Sequence, residues 1–222
     1  MVYFKISPMT EEEIREVFRI LRENYRSWNA PVVTLVAQHS RDPFQVLVCA
    51  LLSTRTRDET TAEVCRRFLK RIKSPKDLTD IPLEELEKLI YPVGFYRNKA
   101  RQLKELGKVL IERFGGKVPD NLEDLLSLKG VGRKVANLVL ADGYGKPAIC
   151  VDTHVHRITN RWGLVSTKTP EETERELMKK LPKDLWIPVN RLLVAFGQSI
   201  CRPTRPRCGI CPVERFCGKV GV

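Results

Sequence analysis

Apolar positions recur along this chain with the spacing of helices. Thr10 and Glu13 form a capping box, and behind it Ile14, Val17, Phe18, Leu21 and Tyr25 fall on one helical face. The stretch 28–31, closing on Pro31, is expected to stop that helix. Asp42-Pro43 supplies an N-cap and a first-turn proline. Residues 44–52 are apolar nearly all round, which predicts a helix at the buried centre of a domain. Asp58 is expected to cap the next helix, which buries Cys65, Phe68, Leu69 and Ile72. Ser74-Pro75 and Ile81-Pro82 each open a short helix. Beyond Gly94, the positions Ala100, Leu103, Leu106, Leu110 and Phe114 keep helical register until Gly115-Gly116 ends it. A short helix over 122–126 follows, then an apolar helix that leaves a tight turn at 128–132 and runs to about 141. Asp152 reads as the cap of a helix ending at Gly163, Thr169-Pro170 with Glu172 as a second capping box, and 185–200 as a last long helix. No stretch reads as a convincing strand, so the fold class is all-α.

Composition narrows the partners. The chain has 222 residues, 42% of them hydrophobic, enough for one large domain or two that share a core. The longest apolar run, 46–52, is too short to span a membrane. The opening Met-Val-Tyr-Phe-Lys turns acidic at Glu11 and lacks the apolar core of a signal peptide. An intracellular protein, cytoplasmic or nucleoid-associated, is expected, with no membrane partner and no dimer seam, hence a monomer. Lys and Arg number 39 against 27 Asp and Glu, a net charge of +12. A heat-adapted surface explains many charges of both signs but not the imbalance, which favours a polyanion such as nucleic acid.

Of seven cysteines, Cys49, Cys65 and Cys150 sit singly among apolar neighbours and read as small buried hydrophobes. The other four form the string Cys201-x6-Cys208-x2-Cys211-x5-Cys217. Soft ligands this close call for a metal or for disulfides. Structural zinc usually takes two short knuckles set well apart, whereas one short pair flanked by longer gaps also suits a [4Fe–4S] cluster.

Two further stretches carry candidate chemistry. In Leu128-Lys129-Gly130-Val131-Gly132-Arg133-Lys134, paired glycines permit a tight turn into a helix N-terminus, a place that accepts phosphate. An ordinary helix–helix connection would look similar, but the flanking Lys129, Arg133 and Lys134 favour an anion. Lys134 falls in the first helical turn, where the helix dipole disfavours a cation. The neutral amine is the nucleophilic form of lysine. Asp152, in Val151-Asp152-Thr153-His154, is either a plain N-cap or a carboxylate that faces developing positive charge.

Taken together these stretches resemble the endonuclease III family of the helix-hairpin-helix DNA glycosylase superfamily. The resemblance is carried by 128–134, 151–154, the cysteine string, Leu-Leu-Ser-Thr-Arg-Thr-Arg-Asp at 51–58 and Val-Gly-Phe-Tyr-Arg-Asn-Lys-Ala at 93–100. The five occur in the family's order over most of the chain. The resemblance implies two lobes with a DNA groove between them. One is a six-helix barrel over 33–147 that holds the hairpin. The other joins 1–32 to 148–222 and carries an iron–sulfur cluster on Cys201, Cys208, Cys211 and Cys217.

It further implies a bifunctional glycosylase and abasic-site lyase of base excision repair. The substrate is double-stranded DNA with a damaged base, oxidised pyrimidines foremost, or an abasic site. Lys134 attacks the sugar, Asp152 stabilises its cationic form, and the two face each other. Members that only remove the base, the adenine and thymine mismatch glycosylases, lack a lysine at this place. DNA contacts are implied at Lys129, Gly130, Val131, Gly132 and Arg133, at His154, and at Arg202, Arg205 and Arg207 between the first two cysteines. Arg55 and Phe95 would fill the gap left by a flipped base. Here the chain departs from the bacterial pattern, which has Gln at the place of Arg55 and Leu at that of Phe95. A core aromatic remains the alternative for Phe95, and a plain surface charge for Arg55.

Overall fold

The computed structural model describes residues 9–28, 33, 36, 40 and 42–222 of the chain. The opening residues 1–5, and all but Trp28 of the helix stop expected at 28–31, lie outside them. The described residues are helical throughout their regular structure, with no strand among them. No helix among them is long and apolar enough to cross a membrane. The chain divides into two compact units, Met1–Pro31 with Pro147–Val222, and Val32–Lys146.

Among the described residues, the α-helices of the first unit are Glu11–Asn24, Thr153–Arg161, Pro170–Lys180 and Trp186–Ser199. Thr10 and Glu13 close the capping box reciprocally. That fixes the entry of the first helix, which turns Ile14, Val17, Phe18 and Leu21 inward. These join Val155, Ile158, Leu177, Val189, Leu193 and Phe196 in one core. Each such side chain taken out of water contributes about 1.5–3 kcal/mol, so the N-terminal helix belongs with the C-terminal ones. Trp28 and Trp162 flank the Phe196 ring at 5.4 and 6.2 Å between centroids.

The second unit surrounds the helix Pro43–Ser53, in which Phe44 and every residue from Val46 to Leu52 is buried. Asp42 starts it by accepting the Phe44 N–H at 2.9 Å. Around it run Asp58–Arg71, Pro75–Asp80, Leu83–Ile90, Tyr96–Phe114, Leu122–Ser127 and Arg133–Leu138. Cys49 and Cys65 lie buried in this unit, and Cys150 is buried in the other.

Four local expectations change. Leu69 is only half-buried, whereas Cys65, Phe68 and Ile72 are buried as expected. Arg57, in extended conformation, occupies the N-cap position, and Asp58 is the first helical residue. There Asp58 serves the positive end of the dipole together with Glu59. The helix that leaves the hairpin keeps α bonding only to Leu138. It widens into a π turn over Val139–Gly143, where Tyr144 N–H reaches the Val139 carbonyl. At Thr169 the hydroxyl accepts from Glu172 N–H, but the Glu172 carboxylate takes the Lys168 N–H, so the second capping box is only half made.

Candidate functional site

The glycine hairpin joins Leu122–Ser127 to Arg133–Leu138 in the second unit. Leu128 and Val131 bury their side chains, and Val131 N–H closes the turn onto the Leu128 carbonyl at 3.0 Å. Gly130 has φ +82°, a conformation L side chains rarely adopt. A Cβ there would also fall 1.5 Å from the Gln102 amide nitrogen. That amide donates to the Lys129 carbonyl at 3.0 Å and anchors the hairpin on the Tyr96–Phe114 helix. Gly132 takes the N-cap position with no side-chain cap. Lys129, Gly130, Gly132 and Lys134 are exposed, and Arg133 is half-buried. Lys134 thus stands in the first turn of the helix that leaves the hairpin.

Two other turns of the same unit meet. Arg55 and Phe95 both adopt left-handed backbone conformations, φ 52° and 57°. Four described non-glycine residues have positive φ: these two, Arg205 and Lys219. Such residues cost about 1–3 kcal/mol each and gather where side chains must be aimed. Three of the four are among the DNA contacts implied by the sequence. Phe95 is 61% exposed, so it is no core aromatic, and the Arg55 guanidinium lies 5.5 Å from its ring centroid.

In the first unit, Asp152 caps Thr153–Arg161 by accepting the N–H groups of His154 and Val155, both at 2.9 Å. The His154 ring turns along the helix, its Nδ1 3.1 Å from Arg157 Nη2. The same Arg157 nitrogen donates to the Cys201 carbonyl at 2.9 Å. Burial lowers the pKa of Arg157 below the ordinary arginine value.

The far end of that helix holds the cysteine loop. Arg161, 9% exposed, donates to the carbonyls of Arg202 and Pro203 at 2.6 and 2.7 Å and approaches Cys201 Sγ at 3.6 Å. The Arg161 and Trp162 carbonyls accept from Val220 and Gly218 N–H. Cys201, Cys208, Cys211 and Cys217 line one cavity together with Ile200, Phe196 and Pro206. Among the described residues no three His, Cys, Asp or Glu side chains are disposed to hold a single ion. Four thiols lining one cavity are a set of soft ligands suited to a metal centre. Burial pushes the Cys211 thiol up to about 12, and raises Cys217 too. Arg202, Arg205 and Arg207 are all exposed on this loop.

Sequence reasoning missed Gln102, Arg157 and Arg161, and also Lys99 and Thr56, which lie beneath the Arg55 and Phe95 turns.

Comparison with known proteins places the molecule among relatives. Residues 48–183 match the HhH-GPD superfamily of base excision DNA repair proteins. The chain is 45% identical over 209 residues to endonuclease III of Thermotoga maritima, covering 94% of this chain and 92% of that one. Its fold matches a solved trapped endonuclease III–DNA covalent intermediate with a TM-score of 0.83 at 35% identity, covering 96% of this chain and 98% of that one. A thermostable thymine-DNA glycosylase matches with a TM-score of 0.79 at 27% identity, covering 93% and 95%.

Proposed function

The chain belongs to the endonuclease III family of the HhH-GPD superfamily, and we propose that it is a bifunctional DNA glycosylase and abasic-site lyase of base excision repair, acting on damaged pyrimidines. The observation that carries this reading is the exposed Lys134 in the first turn of the helix leaving the glycine hairpin.

The damaged nucleotide first leaves the base stack. The neutral Lys134 amine attacks C1′ of its sugar, and the bond to the base breaks with the base leaving as it gains a proton. The sugar ring opens to an imine on Lys134, which makes the C2′ hydrogen acidic. Loss of that proton expels the 3′ phosphate and cuts the strand on the 3′ side of the lesion. Asp152 contributes a carboxylate that stabilises the cationic sugar and helps take the proton from Lys134.

The hairpin 129–133 holds backbone phosphate, which fixes position without reading sequence. Arg55 and Phe95 act as one wedge that fills the opened stack, and their exposed, paired tips support this. His154 supports the Asp152 end of its helix. Cys201, Cys208, Cys211 and Cys217 hold a [4Fe–4S] cluster whose contribution when bound is a rigid cross-link of the loop. Arg202, Arg205 and Arg207 on that loop meet phosphates. The protein acts on double-stranded DNA as a monomer.

Duplexes carrying a thymine glycol, an abasic site, a G·T or a G·A mismatch test the assignment. Nicking at the thymine glycol and the abasic site, with the mismatches intact, is expected. Cutting only the abasic site would leave a lyase without glycosylase activity. Cutting at the mismatches would make it a mismatch enzyme, and binding without cutting a damage-recognition protein.

A further inference from the structure

Lys99 is only 7% exposed. A lysine is almost never buried unless its charge is satisfied. Its ammonium donates to the Leu52 carbonyl at 2.9 Å, to the Thr54 carbonyl at 2.5 Å and to the Thr56 hydroxyl at 3.3 Å. Leu52 lies in the last turn of the buried Pro43–Ser53 helix and Thr54 is its C-cap. The ammonium therefore sits at the negative end of that helix's dipole.

The Thr56 hydroxyl also accepts the Gly94 N–H at 3.1 Å. Gly94 lies against the other turn so tightly that a Cβ on it would stand 2.4 Å from the Arg55 carbonyl oxygen. The next residue is Phe95, whose own carbonyl accepts the Lys99 N–H at 3.0 Å. One ammonium and one hydroxyl thus tie the turn that carries Arg55 to the turn that carries Phe95.

Packing alone does not explain a cation here. Lys99 lies in the first turn of Tyr96–Phe114, the end of a helix that disfavours positive charge. Burial also pushes its pKa down to about 8. A methionine would fill a similar volume without either cost, and apolar replacements of buried charges are often neutral or stabilising. What an apolar side chain cannot do is bind three oxygens of residues 52–56 at once.

We propose that Lys99 is a positioning residue for duplex opening: its ammonium, through Leu52, Thr54 and Thr56, holds the Arg55 and Phe95 turns in register so that the two side chains enter the stack as a unit. This rests on the wedge role assigned to that pair above. The turns are joined by a few buried or part-buried hydrogen bonds beneath the exposed side chains. A small misplacement of a side chain that must enter a narrow gap costs rate steeply.

The test uses the metal-loaded full chain and Lys99→Met, Thr56→Val, Thr56→Ser and the double variant Arg55→Ala/Phe95→Ala. Base extrusion is read from 2-aminopurine placed beside a thymine glycol in duplex DNA. Lyase rate is read separately on a single-stranded abasic oligonucleotide, which needs no stack opened. Lys99→Met should slow extrusion by about tenfold or more while the single-strand lyase rate stays at the wild-type value. Thr56→Val should shift in the same direction, and Thr56→Ser, which keeps the hydroxyl, should behave as wild type. Wild-type extrusion by Lys99→Met alongside a defective Arg55→Ala/Phe95→Ala would overturn the role of Lys99 alone. Normal extrusion by Arg55→Ala/Phe95→Ala would remove the wedge itself. Equal loss on single-stranded and duplex DNA by Lys99→Met would reduce Lys99 to a general fold determinant and overturn the proposal.

Discussion

The guanidinium of Arg55 lies over the ring of Phe95, 5.5 Å from its centroid, and brings together two turns that are distant in sequence. Both residues hold left-handed backbone conformations that neither would adopt for packing. A cation–π contact at an exposed site contributes about 0.5–1 kcal/mol. A double-mutant cycle on Arg55→Ala and Phe95→Ala should therefore show coupling of roughly that size in affinity for lesion duplex. Strict additivity would mean that the two act separately on DNA.

Asp152 is both a helix cap and a charge. Asn caps about as well as Asp, so Asp152→Asn should keep the His154 and Val155 hydrogen bonds and unfold at the wild-type temperature. Glycosylase turnover should fall by about a hundredfold or more, since the charge proposed to stabilise the cationic sugar is gone. Asp152→Ala should lose the cap as well, costing about 1 kcal/mol of stability. Near-normal turnover by Asp152→Asn would leave Asp152 a cap and nothing else.

Arg161 holds the cysteine loop through the carbonyls of Arg202 and Pro203. Arg161→Met leaves those acceptors without their donor, at about 1–3 kcal/mol each where they are buried. With the proposed cluster bound, iron should leave this variant faster than wild type when a chelator is added. Stripping the iron from the wild-type chain should free the loop and its three arginines from one fixed shape. The slope of log affinity against log salt should then become shallower by roughly 0.9 for each phosphate no longer neutralised. An unchanged slope after complete iron loss would show that Arg202, Arg205 and Arg207 do not meet phosphate.

Lys99 gives a pH signature. Burial places its folded-state pKa at about 8, below the ordinary 10.5. Between those values the unfolded chain binds the extra proton and the folded chain does not, so this group favours folding more as pH rises. Below about 8 both states are protonated and the destabilisation is present in full. The denaturation midpoint of wild type relative to Lys99→Met should therefore climb as pH is raised from 7.5 to 10. A flat difference over that range would place the ammonium in a better-solvated site than the geometry shows.

Much of the architecture is legible in the sequence because its signals are local. Thr10 with Glu13, Asp42-Pro43 and Asp152 mark helix starts within four residues, and the run behind Pro43 marks the buried helix by composition alone. The placement of Lys134 in a first turn follows from Gly130 and Gly132 in the same way. Asp58 misled because Arg57 is an unusual residue for an N-cap position, and the π turn after Leu138 leaves no mark in an apolar run. Lys99 and Arg161 were illegible for a different reason: Lys99 reaches back to Leu52 and Arg161 forward to Pro203, and a lone cation in a helix reads as solvated. A signal was nevertheless present. Lys99 shares a helical stripe with Leu103, Leu106 and Leu110, and Arg161 one with Ile158 and Val155. A cation on an apolar stripe points to a buried role.

In the proposed reaction the Lys134 amine makes the covalent bond to DNA. Borohydride added during turnover of an abasic duplex reduces the imine and locks protein to DNA. The wild-type chain should form this adduct. Lys134→Gln should form none while still binding the duplex and keeping its iron. An adduct formed by Lys134→Gln at the wild-type yield would assign the chemistry to a different amine.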